Sequence, residues 1–278
     1  MQPFRRFNPF PLTYWSRLSV VCLSLLANMD PIQATPQLSA EEIVQRAHET
    51  AKKNGKHDSV YTFLREVIVK ELDNKERVAK ETTKTFRAYT DEREQELLTI
   101  NGRDATDEDK EKERQRSRKQ KRKFLNADPT NPAASGGREE NLMDRNITLF
   151  HQKFVPKLLG NETVRDRNAY LIDLVPNPEY RIKHNIVDRI FNNLAIKVWI
   201  DHEDFEVAKL EARLLENVAF LGGIAGAVKG IQISVDQARL EENHWVDQGV
   251  KALFDARVLW KSFHFGMHSQ SSEYQRLE

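Results

Sequence analysis

The chain has 278 residues, with 43 basic and 42 acidic side chains giving a formal net charge of +1, and 39% of its residues are hydrophobic. Charge so near balance excludes bulk attraction to a polyanion, and a single cysteine excludes a disulfide framework. This length supports one substantial core held by burial alone.

The amino terminus has the layout of a secretory signal. Arg5, Arg6 and Arg17 precede an apolar run from Leu18 to Ala27, no acidic residue occurs before Asp30, and Ala34 offers a small residue for cleavage. The run is ten residues long, whereas a helix needs about twenty to span a bilayer, so a cleaved signal is expected over a permanent span, with an uncleaved anchor as the alternative. Cys22 lies inside the run and reads as a small apolar residue rather than a lipid-attachment site. Cleavage after Ala34 removes three arginines and one aspartate and leaves a mature region, 35–278, with a net charge of −1 and no cysteine. We read 1–34 as signal peptide and 35–278 as one domain, with a charged helical insertion and linker at 103–140.

Ser39 and Glu42 form a capping-box pair, after which Ile43, Val44, Ala47 and Ala51 recur at helical spacing until Asn54 and Gly55. Val60 to Leu72 is rich in β-branched and aromatic residues and predicts a strand, with a return strand over Val78 to Tyr89 and a third over Leu97 to Ile100. Asn101-Gly102 suits a tight turn. From Thr106 to Asn126 charge replaces alternation. Acidic residues lead and basic residues follow, an order that suits the helix dipole. With almost no apolar face before Phe124, this helix should project from the sheet or lie loosely across it. Its basic half has no interleaved aromatics, so nucleic acid is not expected as a partner; a solvated helix is the simplest reading, and a membrane surface with anionic headgroups the better functional one. Asp128 to Gly137 reads as a linker, and Leu142 to Phe150 as a short helix.

Phe154 to Leu159 begins a hairpin expected to pass Gly160 and Asn161 and to return at Ala169 to Val175. Tyr180 to Asn193 is compatible with a short amphipathic helix. Ile196 to Ile200 alternate, Asp201 to Asp204 turn the chain, and Phe205 to Leu214 alternate again, with Lys209, Glu211 and Arg213 on a wet face. Ile231, Ile233 and Val235 repeat the scheme, and Ala252 to Lys261 reads as the last long strand, with Ala252, Phe254, Ala256, Val258 and Trp260 on its inner side. Between these strands, Val218 to Lys229 is apolar and glycine-rich. It reads as a bent hairpin packed into the core, with a mobile flap as the alternative; it lacks the lysine and hydroxyl of a phosphate loop.

Catalytic and metal signatures are thin. There is no Gly-x-Ser-x-Gly elbow, and Lys52 stands where a zinc-protease helix starting at His48-Glu49 needs its second histidine. His264 and His268 read as ordinary surface histidines without a carboxylate partner, and Asp201 to Asp204 as a polar turn rather than a calcium loop. No catalytic residue, metal ligand or cofactor is therefore expected, and no enzymatic activity. Asn146-Ile147-Thr148 and Asn161-Glu162-Thr163 match a glycosylation acceptor, relevant only in a host that glycosylates exported proteins.

The strand carrying Val198, Trp199, Ile200 and Asp201, followed by a short turn and a second strand, resembles the periplasmic lipoprotein-carrier superfamily of the LolA and LolB type, outer-membrane lipoprotein-sorting proteins; the resemblance covers about residues 60 to 265. It implies a mainly β (α+β) fold: a strongly curved antiparallel half-barrel sheet with helices covering an apolar concave face that receives acyl chains. The implied role is an exported, periplasmic carrier of lipid or lipoprotein acyl chains. Candidate lining residues are Phe63, Tyr170, Trp199, Phe220, Leu221, Ile224, Phe254 and Trp260, with ordinary core packing as the competing reading of each. The alternative is a periplasmic sensor or interaction module of the same fold that binds a protein partner.

Overall fold

A computed structural model describes residues 38–54, 59–73, 77–91, 93–127, 153–179, 186–220, 226–242, 244–259 and 261–277. The chain divides into two units, Met1–Leu38 and Ser39–Glu278. Of the first only Leu38 is described; everything below concerns the second. The expected signal, the Asp128–Gly137 linker and the Leu142–Phe150 helix lie outside the described residues.

The second unit is mainly β, built on one antiparallel sheet that does not close. Its strands are β1 (Tyr61–Leu72), β2 (Val78–Tyr89), β3 (Glu96–Ile100), β4 (Arg103–Asp104), β5 (Phe154–Val164), β6 (Arg167–Pro176), β7 (Leu194–Asp201), β8 (Val207–Leu214), β9 (Val218–Phe220), β10 (Gly226–Glu241), β11 (His244–Val258) and β12 (Lys261–Arg276). The order across the sheet is β4-β3-β2-β1-β12-β11-β10-β8-β7-β6-β5, with β9 pairing β10 beyond the end of β8. Register shifts recur along it, three of them between β10 and β11 alone. Each adds a residue to one strand and bends it, so the sheet curls into a half-barrel.

Three helices are described: α1 (Ala40–Asn54), α2 (Asp107–Ala127) and α3 (Ile186–Phe191). The predicted capping box starts α1. The Glu42 N–H donates to Ser39 Oγ at 3.1 Å and the Ser39 N–H to Glu42 Oε2 at 2.8 Å. Ala40, Ile43 and Ala47 form its buried stripe. Arg46 sits 5.2 Å over the Phe205 ring, which lies beside Tyr170, so α1 is tied to the Tyr170 side of the sheet. By alternation, that side also carries Ile172 and Leu174 from β6, and Val198 and Ile196 opposite them on β7, all buried.

Thr106 caps α2 as predicted: its hydroxyl and N–H donate to Asp109 Oδ2 and its Oγ1 accepts the Asp109 N–H. The helix does not project freely. Lys84 of β2 pairs with Glu113 at 2.5 Å, Lys110 with Glu96 at 2.8 Å, and Arg118 with Glu94 at 2.8 Å. Charge pairs, in place of an apolar stripe, lay it along β2 and β3.

Two predicted boundaries are corrected. β5 does not end at Leu159; it runs on through Gly160 and Asn161 to Val164 and the turn is Arg165-Asp166, both with positive φ (49° and 63°). Gly160, at φ 148°, absorbs a register shift inside β5. Nor is the strand through Ala252 the last. β11 begins at His244, and after Val258 the sixteen-residue β12 follows, lodged between β11 and β1. From Ser269 on, the polar sequence of β12 hides this, because ladder pairing, on both edges as far as Gln270 and with β1 alone beyond it, holds the strand more than its side chains do.

Candidate functional site

A groove of about 1100 Å³ opens among the described residues. It spans β6, β7, β8, β10, β11, β12 and β1, and its floor follows two cross-strand rows. One row runs Asp173, Lys197, Glu211, Ser234, Lys251, His268, Ile68. The next runs Arg213, Gln232, Leu253, Gly266, Lys70, extended at the β6–β7 side by Val175 and Ala195. Directly paired residues of antiparallel strands point to one face, so both rows share a face, the one opposite the buried Ile172 and Val198. The groove therefore opens on the side of the sheet away from that apolar, helix-bearing face.

Its character is mixed. Leu253, Leu215 and Val175 are 51%, 52% and 44% exposed, large values for side chains of this size facing a cavity. Gly266 leaves the floor open; a Cβ there would stand 3.1 Å from Leu253 Cδ2. Among these apolar groups stand charges. Lys70 is paired with Glu81 at 3.1 Å, and Lys209 takes Glu211 at 2.6 Å. Lys197, Arg213 and Lys251 are exposed and form no ion pair among the described residues. Asp173 is the cross-strand neighbour of Lys197 and the remaining anion of the floor.

A smaller cavity of about 220 Å³ lies on the opposite face, where Arg65, Ser269, Ser271 and Asp247 contribute to its lining. At the β7–β8 turn a compact ion-pair hub ties four strands together. Asp201, 1% exposed, receives both Nε and a terminal nitrogen of Arg167 at 2.7 Å, together with the N–H groups of Glu203 and Asp204 at 2.9 Å. Asp204 accepts Arg239 of β10 at 2.7 Å and Trp245 Nε1–H of β11 at 2.9 Å. Burial pushes the Asp201 carboxyl up, but the Arg167 guanidinium and the two backbone donors outweigh it and hold the group below its ordinary value. The same pairing holds Arg167 well above the usual arginine range. The sequence presents these residues as a polar turn, which they are; the half-buried arginine partner thirty-four residues away is invisible to local pattern.

The eight sequence-predicted lining residues do not converge on the groove among the described residues. Phe63 is buried and stacks 4.9 Å from Tyr274, near the other buried residues of β2 and β3, Phe86, Ala88 and Leu97. Tyr170 stacks 3.8 Å from His202. Trp199 is packed with Ala169 and Leu171, donates to Glu162 Oε2 at 2.7 Å and carries Lys209 4.5 Å above its ring. Phe254 stands 5.1 Å from Phe265. The Phe220 backbone pairs with Gly226, so the glycine-rich stretch is a hairpin at its described ends, while its side chain, like Leu221, Ile224 and Trp260, lies outside the description.

His264 does have a carboxylate partner: Asp255, opposite it across β11–β12, lies 3.2 Å from Nδ1. No group of three or more potential metal ligands occurs among the described residues, and no described helix is long and apolar enough to cross a membrane. The groove cations were legible only as the wet side of alternating strands.

No family model matches the chain, and no curated protein matches it. Among solved structures, 87% of the chain aligns with 95% of a LolA superfamily protein from Nitrosomonas europaea, at 10% identity and a TM-score of 0.27. A putative outer membrane lipoprotein-sorting protein domain from Vibrio parahaemolyticus aligns over 86% of this chain and 95% of its own, at 10% identity and a TM-score of 0.32. The MucA/MucB complex of Pseudomonas aeruginosa aligns over 84% and 94%, at 6% identity and a TM-score of 0.24.

Proposed function

We propose that this chain is an exported, periplasmic binding protein that carries acyl chains of lipids or lipoproteins, in the service of outer-membrane lipoprotein sorting, and that it acts by binding rather than by reaction. The observation that carries this reading is the groove: about 1100 Å³ of open space on a sheet face where Leu253, Leu215 and Val175 remain exposed. Burying an acyl chain contributes about 0.8 kcal/mol per CH₂, so a trough lined by these side chains and the aliphatic stems of its lysines retains a chain in water without any covalent step. Its size is that of a ligand site.

Mass spectrometry of an organic extract from protein purified without detergent tests the proposal. Stoichiometric phospholipid or lipopeptide is expected, and Gly266→Leu, which fills the floor against Leu253, should abolish it while leaving the urea midpoint near that of the parent. An extract empty of lipid from a folded parent protein sinks the reading.

A protein-binding module is the second reading, favoured by α2, whose exposed charged side faces solvent along β2 and β3. A retained protein partner with no retained lipid would select it.

A further inference from the structure

The groove holds more positive charge than an acyl chain needs. Lys197 of β7 and Arg213 of β8 are diagonal neighbours on the groove face, because Lys197 pairs directly with Glu211 and Arg213 lies two residues beyond. Such neighbours stand about 7–8 Å apart at the backbone, so a flexible ammonium and a forked guanidinium of this reach converge on one small anion. Both are exposed, and neither is in an ion pair among the described residues. Their surroundings contain two carboxylates. Glu211 is engaged by Lys209 at 2.6 Å, which leaves Asp173, among the described groove residues, as the one anion outside an ion pair beside two cations. Lys251, opposite Ser234, adds a third cation farther along the row. The apolar part of the floor, Leu253 with Gly266, lies in the same row as Arg213. A charged pocket and an apolar trough therefore run into one another, and the ligand that satisfies both has an anionic head on a single continuous chain.

We infer that the groove selects an anionic amphiphile, with the phosphate or carboxylate of a lipid headgroup held between Lys197 and Arg213 and its acyl chain laid over Gly266 and Leu253. This rests on the acyl-carrier reading above and names the headgroup class of its ligand. Charge-assisted hydrogen bonds to two cations supply the selectivity, and apolar burial supplies the bulk of the affinity.

Calorimetric titration of the full chain with three probes, dodecyl phosphate, dodecyl maltoside and inorganic phosphate, tests the inference. Dodecyl phosphate is expected to bind about tenfold or more tightly than dodecyl maltoside, a ratio that falls as salt is added, with inorganic phosphate alone not retained. The double variant Lys197→Gln/Arg213→Gln, at two exposed positions, should keep its urea midpoint and lose the preference for dodecyl phosphate. Equal affinity for the two amphiphiles, or a preference that survives in the double variant, overturns the headgroup assignment and leaves the acyl carrier standing. Inorganic phosphate binding as tightly as dodecyl phosphate overturns it in favour of a free anion site. A folded protein that takes up neither amphiphile removes both the inference and the carrier reading.

Discussion

Ion pairs hold both ends of the sheet, but under different physical conditions. At the β7–β8 turn, Asp201 is buried and receives a bidentate arginine and two backbone donors, while Asp204 draws in Arg239 and Trp245 from β10 and β11. At the β2–β3 end, α2 rests on Lys84–Glu113, Lys110–Glu96 and Arg118–Glu94, the last with both side chains more than half exposed. The number of contacts is similar and the consequence is not. A buried carboxylate stripped of its partner has no water to turn to, whereas an exposed one rehydrates at little cost. The first end fixes where four strands meet; the second places a helix that the core does not need.

The strongest way to break this contrast is at the hub. Asp201→Ala leaves Arg167 facing Asp204 and Glu203 without its main partner and removes the acceptor of two turn N–H groups. A loss of about 3–5 kcal/mol is expected from the urea midpoint. A loss below about 1 kcal/mol would place the hub with surface pairs. Next comes Ile43→Ala in α1, whose side chain is fully buried. A cost of about 2–4 kcal/mol is expected from the same measurement, by lost transfer and residual cavity.

Acid titration sharpens the comparison. Because the folded Asp201 carboxyl lies below its unfolded value near 3.9, the folded state binds that proton less readily. Its contribution is complete above about pH 5 and is lost as pH falls through the unfolded value toward the folded one. Urea midpoints taken from pH 6 to pH 3 should fall more steeply for the parent than for Asp201→Asn. Parallel slopes would show that Asp201 is not held low. A smaller effect is expected at the α1 cap, where Ser39→Ala should cost about 1 kcal/mol at pH 7.

How much of this was legible in the sequence depends on the range of the interaction. The capping box at Ser39, the Thr106 cap, the Asn101-Gly102 turn and the paired strands around Trp199 were readable, since each is decided within a few residues. β12 was not, because its polar residues from Ser271 on are held by β1, a strand distant in sequence. The groove failed to show for a different reason. Alternation identifies two faces of every strand but not which one a cavity adjoins, and a search for aromatic lining favours the apolar parity. The groove instead opens on the parity of Lys197, Arg213 and Leu253. Trp199 shares that parity on β7 yet is buried against Ala169 and Leu171, a packing that no spacing rule reports.

The smallest effect belongs to α2, and it discriminates best because it should be nearly absent. Glu94→Gln removes a bidentate contact to Arg118 in which both partners are exposed, so the urea midpoint should not move measurably. Lys84→Met acts on a pair whose side chains are 17% and 20% exposed and leaves Glu113 with little water to turn to, so it should cost more than Glu94→Gln, yet less than Asp201→Ala. The readout that does respond is local. With either contact gone α2 has one fewer tie to the sheet, so amide exchange along 107–119 should quicken while exchange in β6 and β7 stays as it was. If exchange at the hub quickened with it, the two ends would be coupled through the sheet, and the division between a buried anchor and a solvent-exposed tether would fail.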